Sequence, residues 1–267
     1  MTEANSDSRD SKQGGGAASD DPTSPNSKYA DVQDRESLMD GIQAGRRVVF
    51  MAYTLSTIVE RQLDFVIAVL LKKYGRTELQ TTIYSCLKEI VINATKANAK
   101  HVFFEEHKLN VAVPDEYQKG MKMIKEQLGE AWIEKYGSLA KAKGLRVSIE
   151  FDHEADGLRI WVFNDTELIP TDESRIREKL AEGMNYEDLL SFYMQMGDQA
   201  EGEGMGLVMN LLLLKGENIN PALFRVGFAD GKTMARIEIP FTDEFVSIRG
   251  DNPEGFRDRA SIRVEFE

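Results

Sequence analysis

Three glycines alternate over Gly202-Glu203-Gly204-Met205-Gly206 and lead directly into the run from Leu207 to Leu214, apolar except for Asn210. No other feature constrains the fold more. A helix that is apolar on nearly every side has to be buried, so these glycines stand where the chain enters a core. Glycine lets the backbone come close to a ligand. The first turn of a helix offers unpaired N–H groups and the positive end of the dipole. The combination predicts an anion cradle made of main chain, which needs no basic side chains. The competing reading is a plain turn before a core helix. The G-x-G-x-G spacing with no preceding strand is a poor Rossmann fingerprint, and no Gly-Lys-Ser/Thr is present for a Walker loop.

A main-chain cradle suits this composition. Asp and Glu number 45 against 33 Lys and Arg, a formal net charge of −12. That balance argues against nucleic acid, whose phosphates reward clustered cations. One cysteine, Cys86, rules out a disulfide framework and a Cys-rich metal site, and three histidines leave little material for a His-rich one. Met1–Asp10 is acidic and polar without an apolar signal core, which sets the expectation of a cytoplasmic protein.

Residues 1–40 are rich in Ser, Asp, Gly and Asn and poor in large apolar residues, and are expected to be a disordered tail. Arg46–Tyr74 is strongly apolar but carries Glu60, Arg61, Gln62 and Asp64, so it reads as a buried helix or one face of a homodimer and not as a membrane span. Thr77 and Gln80 have capping-box spacing ahead of a helix running from Glu78 to at least Ala99. His101–Glu106 reads as either a strand or a continuation of that helix. Asp115–Lys143 reads as one further helix. Strands are predicted at Leu145–Phe151, Leu158–Phe163, Ala222–Phe228 and Thr233–Ile239, with a weaker one at Ile262–Phe266. Residues 171–201 are charged and irregular, with a helical stretch near Glu187–Met196.

Two more segments carry chemistry. On the helix after Glu78, Glu89, Asn93, Lys96 and Lys100 form one polar stripe. An Asn oxygen suits Mg²⁺, a Lys one turn away neutralises phosphate, and a Glu one turn before can deprotonate a water. The alternative is a solvated face of an amphipathic helix. The strand at Leu158–Phe163 ends in Asn164-Asp165-Thr166-Glu167-Leu168-Ile169-Pro170, where an amide or carboxylate can accept from an exocyclic amine. A common Asn-Asp turn is the alternative there.

The order of these segments over residues 77–240, closed by Gly231-Lys232-Thr233 before the last strand, resembles the ATP-binding domain of the gyrase, heat-shock chaperone, histidine kinase and mismatch-repair superfamily, the Bergerat fold. The resemblance is nearest to the histidine-kinase type. It implies an α+β, two-layer sandwich, a mixed sheet with helices on one face. An N-terminal helical segment at 41–76, an inserted helical element at 115–143, a lid at 171–201 and an extension at 241–267 would complete the chain.

The resemblance also implies roles. Asn93 would ligate Mg²⁺ and Lys96 would meet phosphate. Gly202, Gly204 and Gly206, with Met205 and Leu207 between and after them, would line the phosphate side. Thr233 would lie near adenine through a water. Asn164 stands where the family places its adenine-reading Asp, with Asp165 the reader in a slipped register. Both glycines of that box are replaced, by Thr166 and Leu168. Glu89 is the candidate base.

The function implied is an ATP-dependent and Mg²⁺-dependent signalling regulator that phosphorylates or regulates a separate protein. No His precedes His101 to serve as an internal acceptor, and His101, His107 and His153 read as surface or structural. A non-catalytic interaction module and an ATPase using Glu89 are the alternatives.

Overall fold

The computed structural model describes residues 19–196, 204–229, 231–248 and 260–266. These form an α+β, two-layer arrangement in which a mixed sheet is covered by helices. The strands are β1 (Arg47–Ala52), β2 (Val147–His153), β3 (Gly157–Asn164), β4 (Phe224–Ala229), β5 (Lys232–Pro240) and β6 (Ser261–Glu265). Their spatial order is β4-β5-β3-β2-β1-β6. All neighbours pair antiparallel except β1 and β6, which run parallel with Val48 opposite Ile262.

Alternation assigns the two faces. Phe50, Ile149, Val162 and Ala235 share one rung across four strands and point into the main core. Three helices fill that side: α2 (Thr57–Lys73), α3 (Gln80–Glu106) and α8 (Met205–Gly216). The opposite face carries Glu150, Arg236 and Glu238. The chain after β5 crosses it, since Arg159 donates to Val246 O at 2.9 Å and Ile248 N donates to Glu238 at 3.2 Å.

Several expectations need correction. The apolar stretch 46–74 is not one helix but β1 followed by α2, separated by residues 53–56, and Ser56 caps α2 by accepting from Val59 N. Its residues Phe65 to Leu71 are all buried in the chain's own core, which removes the argument for a homodimer face through 46–74. β1 lies inside the sheet, so 41–76 is no separate segment.

Within the expected tail, residues 19–34 lie along α2 and lead into α1 (Arg35–Gln43). Polar anchors hold them: Tyr29 OH donates to Asp64 at 2.7 Å, Gln62 donates to Gln33 O at 3.0 Å, and Arg35 donates to Ser24 O at 2.8 Å. Residues 1–18 lie outside the described residues. The capping box at Thr77 is not formed. Thr77–Leu79 is a 3₁₀ turn, and Gln80 donates instead to Tyr29 OH and Asp64. His101–Glu106 continues α3.

The insertion is a pair of helices, α4 (Pro114–Gln127) and α5 (Glu130–Ala142), packed on the end of α3 through Phe103, Phe104, Trp132 and Tyr136. The segment expected to be an irregular lid contains a regular helix, α6 (Pro170–Asn185), which starts with Pro at its first turn followed by Asp172 and Glu173. A short helix α7 (Leu189–Met196) follows, and 197–201 lie outside the described residues. No helix among the described residues is long and apolar enough to cross a membrane.

Candidate functional site

One cavity of about 350 Å³ lies between α3, the ends of β3 and β5, α6 and the start of α8. Glu89, Asn93, Lys96, Asn164, Gly206 and Thr233 all line it, and so do Gly204 and Leu207. Residues separated by more than a hundred positions in the chain are thus drawn to one space.

The phosphate-side geometry begins at α8. Gly204 has φ of 90°, the left-handed region glycine favours, and stands just before the helix. A Cβ there would lie 2.9 Å from Lys179 Cγ on α6, so the side chain of α6 closes over the turn. A Cβ on Gly206 would fall 1.8 Å from Glu89 Oε1. The Glu89 carboxylate therefore rests on the first turn of α8, where the dipole favours negative charge. Asn93 Nδ2 donates to the same Glu89 Oε1 at 3.0 Å, which leaves Asn93 Oδ1 as its acceptor. Lys96, one turn on, is exposed and forms no ion pair among the described residues. Gly202 lies outside the described residues. Met205 does not line the cavity and packs with Phe192 and Val208.

At the sheet end, Asn164 and Thr233 face each other on one rung of β3 and β5. Asn164 is buried and donates from Nδ2 to Thr166 Oγ1 at 2.5 Å and to Asn98 Oδ1 at 3.5 Å, which leaves Oδ1 as its acceptor. Thr233 donates to Thr166 O from both Oγ1 and N. Val162, Ala235, Ile90 and Ala94 give this end apolar walls. Asp165 does not line the cavity. Its carboxylate accepts from Arg146 N at 2.8 Å and from Lys232 Nζ, so the slipped register has its acceptor already engaged.

Some residues of the site had no sequence signal strong enough to single them out. Asp172 at the start of α6 accepts from Lys100 Nζ at 2.7 Å, Tyr117 OH at 2.6 Å and Arg175 at 3.1 Å, and so ties α3, α4 and α6 together. The only hint was an acidic residue just after Pro170. Lys100 had been placed on the polar stripe, but its partner had not. The cavity gathers Lys96, Lys100, Arg175 and Lys179 against Glu89, Glu167 and Asp172, a cationic excess in a chain whose net charge is −12.

The three histidines differ. His107 stacks on Phe103 at 4.1 Å, and His153 is buried between Tyr74 OH and Arg46 O, so both are structural. His101 is half exposed on the cavity rim beside Glu105. Among the described residues no group of three His, Cys, Asp or Glu forms a metal cage. A cation at this site would need ligand oxygens besides Asn93 Oδ1.

A Treponema pallidum (strain Nichols) protein described as uncharacterized is 28% identical over 209 residues, which cover 78% of this chain and 40% of that protein. The chain therefore spans less than half the length of that relative. No known family matches the chain, and no solved structure matches it.

Proposed function

We propose that the cavity binds ATP with Mg²⁺ and that the chain is a signalling regulator of histidine-kinase type, phosphorylating or regulating a separate partner protein in the cytoplasm. One observation carries the reading. Residues of the Asn93, glycine and Asn164–Thr233 segments, far apart in sequence, line the same cavity, which supports the reading. In this reading Asn164 Oδ1 accepts from the adenine amine, and Val162, Ala235, Ile90 and Ala94 enclose the base. Free N–H groups in the first turn of α8 and the Lys96 ammonium hold the phosphates. Asn93 Oδ1 is the protein ligand to Mg²⁺, which keeps its other positions for water and phosphate oxygens. When bound, the ion neutralises charge on the transferring phosphoryl group. Glu89, held by Asn93 beside the same turn, is placed to orient or deprotonate the attacking group.

Calorimetric titration with a non-hydrolysable ATP analogue tests this. Binding that depends on Mg²⁺ and weakens at least about tenfold in Asn93→Ala is expected, the scale of one charge-assisted contact. Undetectable binding at millimolar analogue overturns it. A second reading, a non-catalytic module with a nucleotide as conformational ligand, is favoured by Thr166 and Leu168, which line the cavity where the resembled family has glycines. Binding without transfer of labelled γ-phosphate to any partner would select it. Release of free phosphate that is lost in Glu89→Gln would select an ATPase instead.

A further inference from the structure

The cavity is longer than a nucleotide reading uses. Its lining on α3 runs from Glu89 to His101, roughly 18 Å at the rise of an α-helix. Beyond Lys96 the walls change character. The inserted helices and the turns around them supply Val111, Met121, Ile124, Leu128 and Trp132. Ile124 and Trp132 are buried, while Leu128 is 47% exposed, so this end has an apolar floor and an open apolar rim. Val113 and Ile133 are exposed on the same helix pair.

A second observation concerns polarity. Trp132 is only 5% exposed, and its indole Nε1 has no hydrogen-bond partner among the described residues. A buried donor left unmade is costly, and indole N–H groups in such places usually meet an acceptor. The aromatic cluster around it leaves that donor unmet: Phe103 lies 6.0 Å away and Tyr136 lies 4.9 Å away, centroid to centroid, and the Tyr136 hydroxyl accepts from Lys135 instead.

We infer that the α4–α5 insertion builds an apolar ligand compartment at the end of the cavity away from the glycines. It takes a small aryl or medium-chain aliphatic compound bearing one acceptor oxygen, a carboxylate or sulfonate, whose oxygen meets the Trp132 indole N–H. The cavity as a whole, about 350 Å³, is of a size that small molecules occupy, and the compartment is its apolar end. The inference rests on the inserted helices and does not need the nucleotide reading.

Anilinonaphthalene sulfonate is a suitable probe, because it joins an aryl body to a sulfonate and brightens in apolar surroundings. Of the two tryptophans, Trp161 lies on the outer face of the sheet, so in Trp161→Phe any energy transfer to the probe comes from Trp132. The expected result is a saturable, single-site titration with emission sensitised by Trp132. Leu128→Glu places a charge on the half-exposed rim and is expected to weaken binding at least about tenfold with an unchanged melting curve. Trp132→Phe, followed by direct excitation of the probe, is expected to weaken it severalfold. If Trp161→Phe does not fold, direct excitation in the unaltered chain and in Leu128→Glu makes the same comparison. Non-saturating binding, or equal affinity in Leu128→Glu, overturns the inference. Probe binding that persists in Asn93→Ala, or in a chain that binds no nucleotide, supports this compartment and separates its fate from that of the ATP site.

Discussion

At the scale of single residues, the cavity turns on glycines that make room for side chains from other elements. Gly206 is the clearest case. An added methyl would meet the far end of Glu89, a flexible group that can swing aside. Gly206→Ala is therefore expected to leave the melting temperature within a few degrees while displacing the carboxylate from α8. Thermal denaturation beside nucleotide titration reads both effects, and a large drop in melting temperature would mean the methyl met backbone instead. Gly157→Ala should behave in the opposite way. Its methyl would lie 2.7 Å from Ile239 O and 2.2 Å from the Phe245 ring, an overpacked position expected to cost about 1–3 kcal/mol in denaturant unfolding.

The polar stripe Glu89–Asn93–Lys96 was legible at this scale because helical spacing alone puts those residues on one side. Two facts were not legible. Asn93 spends its amide on Glu89, and Asp165 spends its carboxylate on Arg146 and Lys232. Such pairings depend on how strands end in space, which a local pattern does not carry.

At the scale of elements, α6 is held to α3 and α4 by one carboxylate. Asp172→Ala removes the carboxylate that accepts from both the Lys100 ammonium and the Tyr117 hydroxyl and is expected to cost about 2 kcal/mol, the scale of hydrogen bonds to a charged group in a partly exposed site. A urea midpoint unchanged by the substitution would show that α6 is held by its packing on α8 alone. Sequence hid α6 because its apolar stripe is thin: only Gly183 is fully buried. β1 was hidden for a different reason. Val48-Val49-Phe50 is a continuous apolar run, and such runs do not distinguish a buried strand from the start of a buried helix. The alternating strand β2, the strand β3 behind its Asp156-Gly157 turn, and α8 behind its glycines are legible because their period, turn or cap is unambiguous.

Residues 19–34 make a further prediction at this scale. The Lys72 ammonium and the Thr23 hydroxyl hold the Asp21 carboxyl well below its ordinary 3.8. A depressed carboxyl stabilises above its unfolded value and loses that contribution as acid protonates it. Burial raises the Tyr29 phenol above its ordinary 10.0. Its contribution is complete below pH 10 and is lost as pH rises through the raised value. Amide exchange at Ala30 and Val32, whose N–H groups bond Ser27 O and Tyr29 O, is expected to be slow at neutral pH and to quicken both in strong acid and above pH 10. Exchange independent of pH, after correction for the intrinsic rate, would mean neither group holds the segment. Composition predicts disorder here because the segment holds few large apolar residues to bury. The segment is instead anchored mainly by side-chain hydrogen bonds to α2.

At the scale of the whole molecule, the largest of the buried clusters is centred on the inner face of the sheet, with smaller ones on the inserted helices and around Phe192. Phe50 sits at its middle, edge-on to Phe151 at 6.2 Å and stacked near Phe266 at 5.7 Å. Phe50→Ala is expected to destabilise by about 3–5 kcal/mol in equilibrium unfolding. A loss under 1 kcal/mol would mean that β1 contributes little to the common core.

The position of β1 has a consequence for how the chain reaches this state. Its two neighbours are β2, which begins at Val147, and β6, which begins at Ser261. A ribosome that has delivered β1, α2 and α3 has therefore delivered a strand with neither flank and a helix whose apolar side has no sheet to meet. Loop closure over such distances is slow, and unpaired strands invite association with other chains while they wait. The nascent protein is most exposed to aggregation before β2 emerges, and the parallel seam with β6 cannot form until Ser261 has followed.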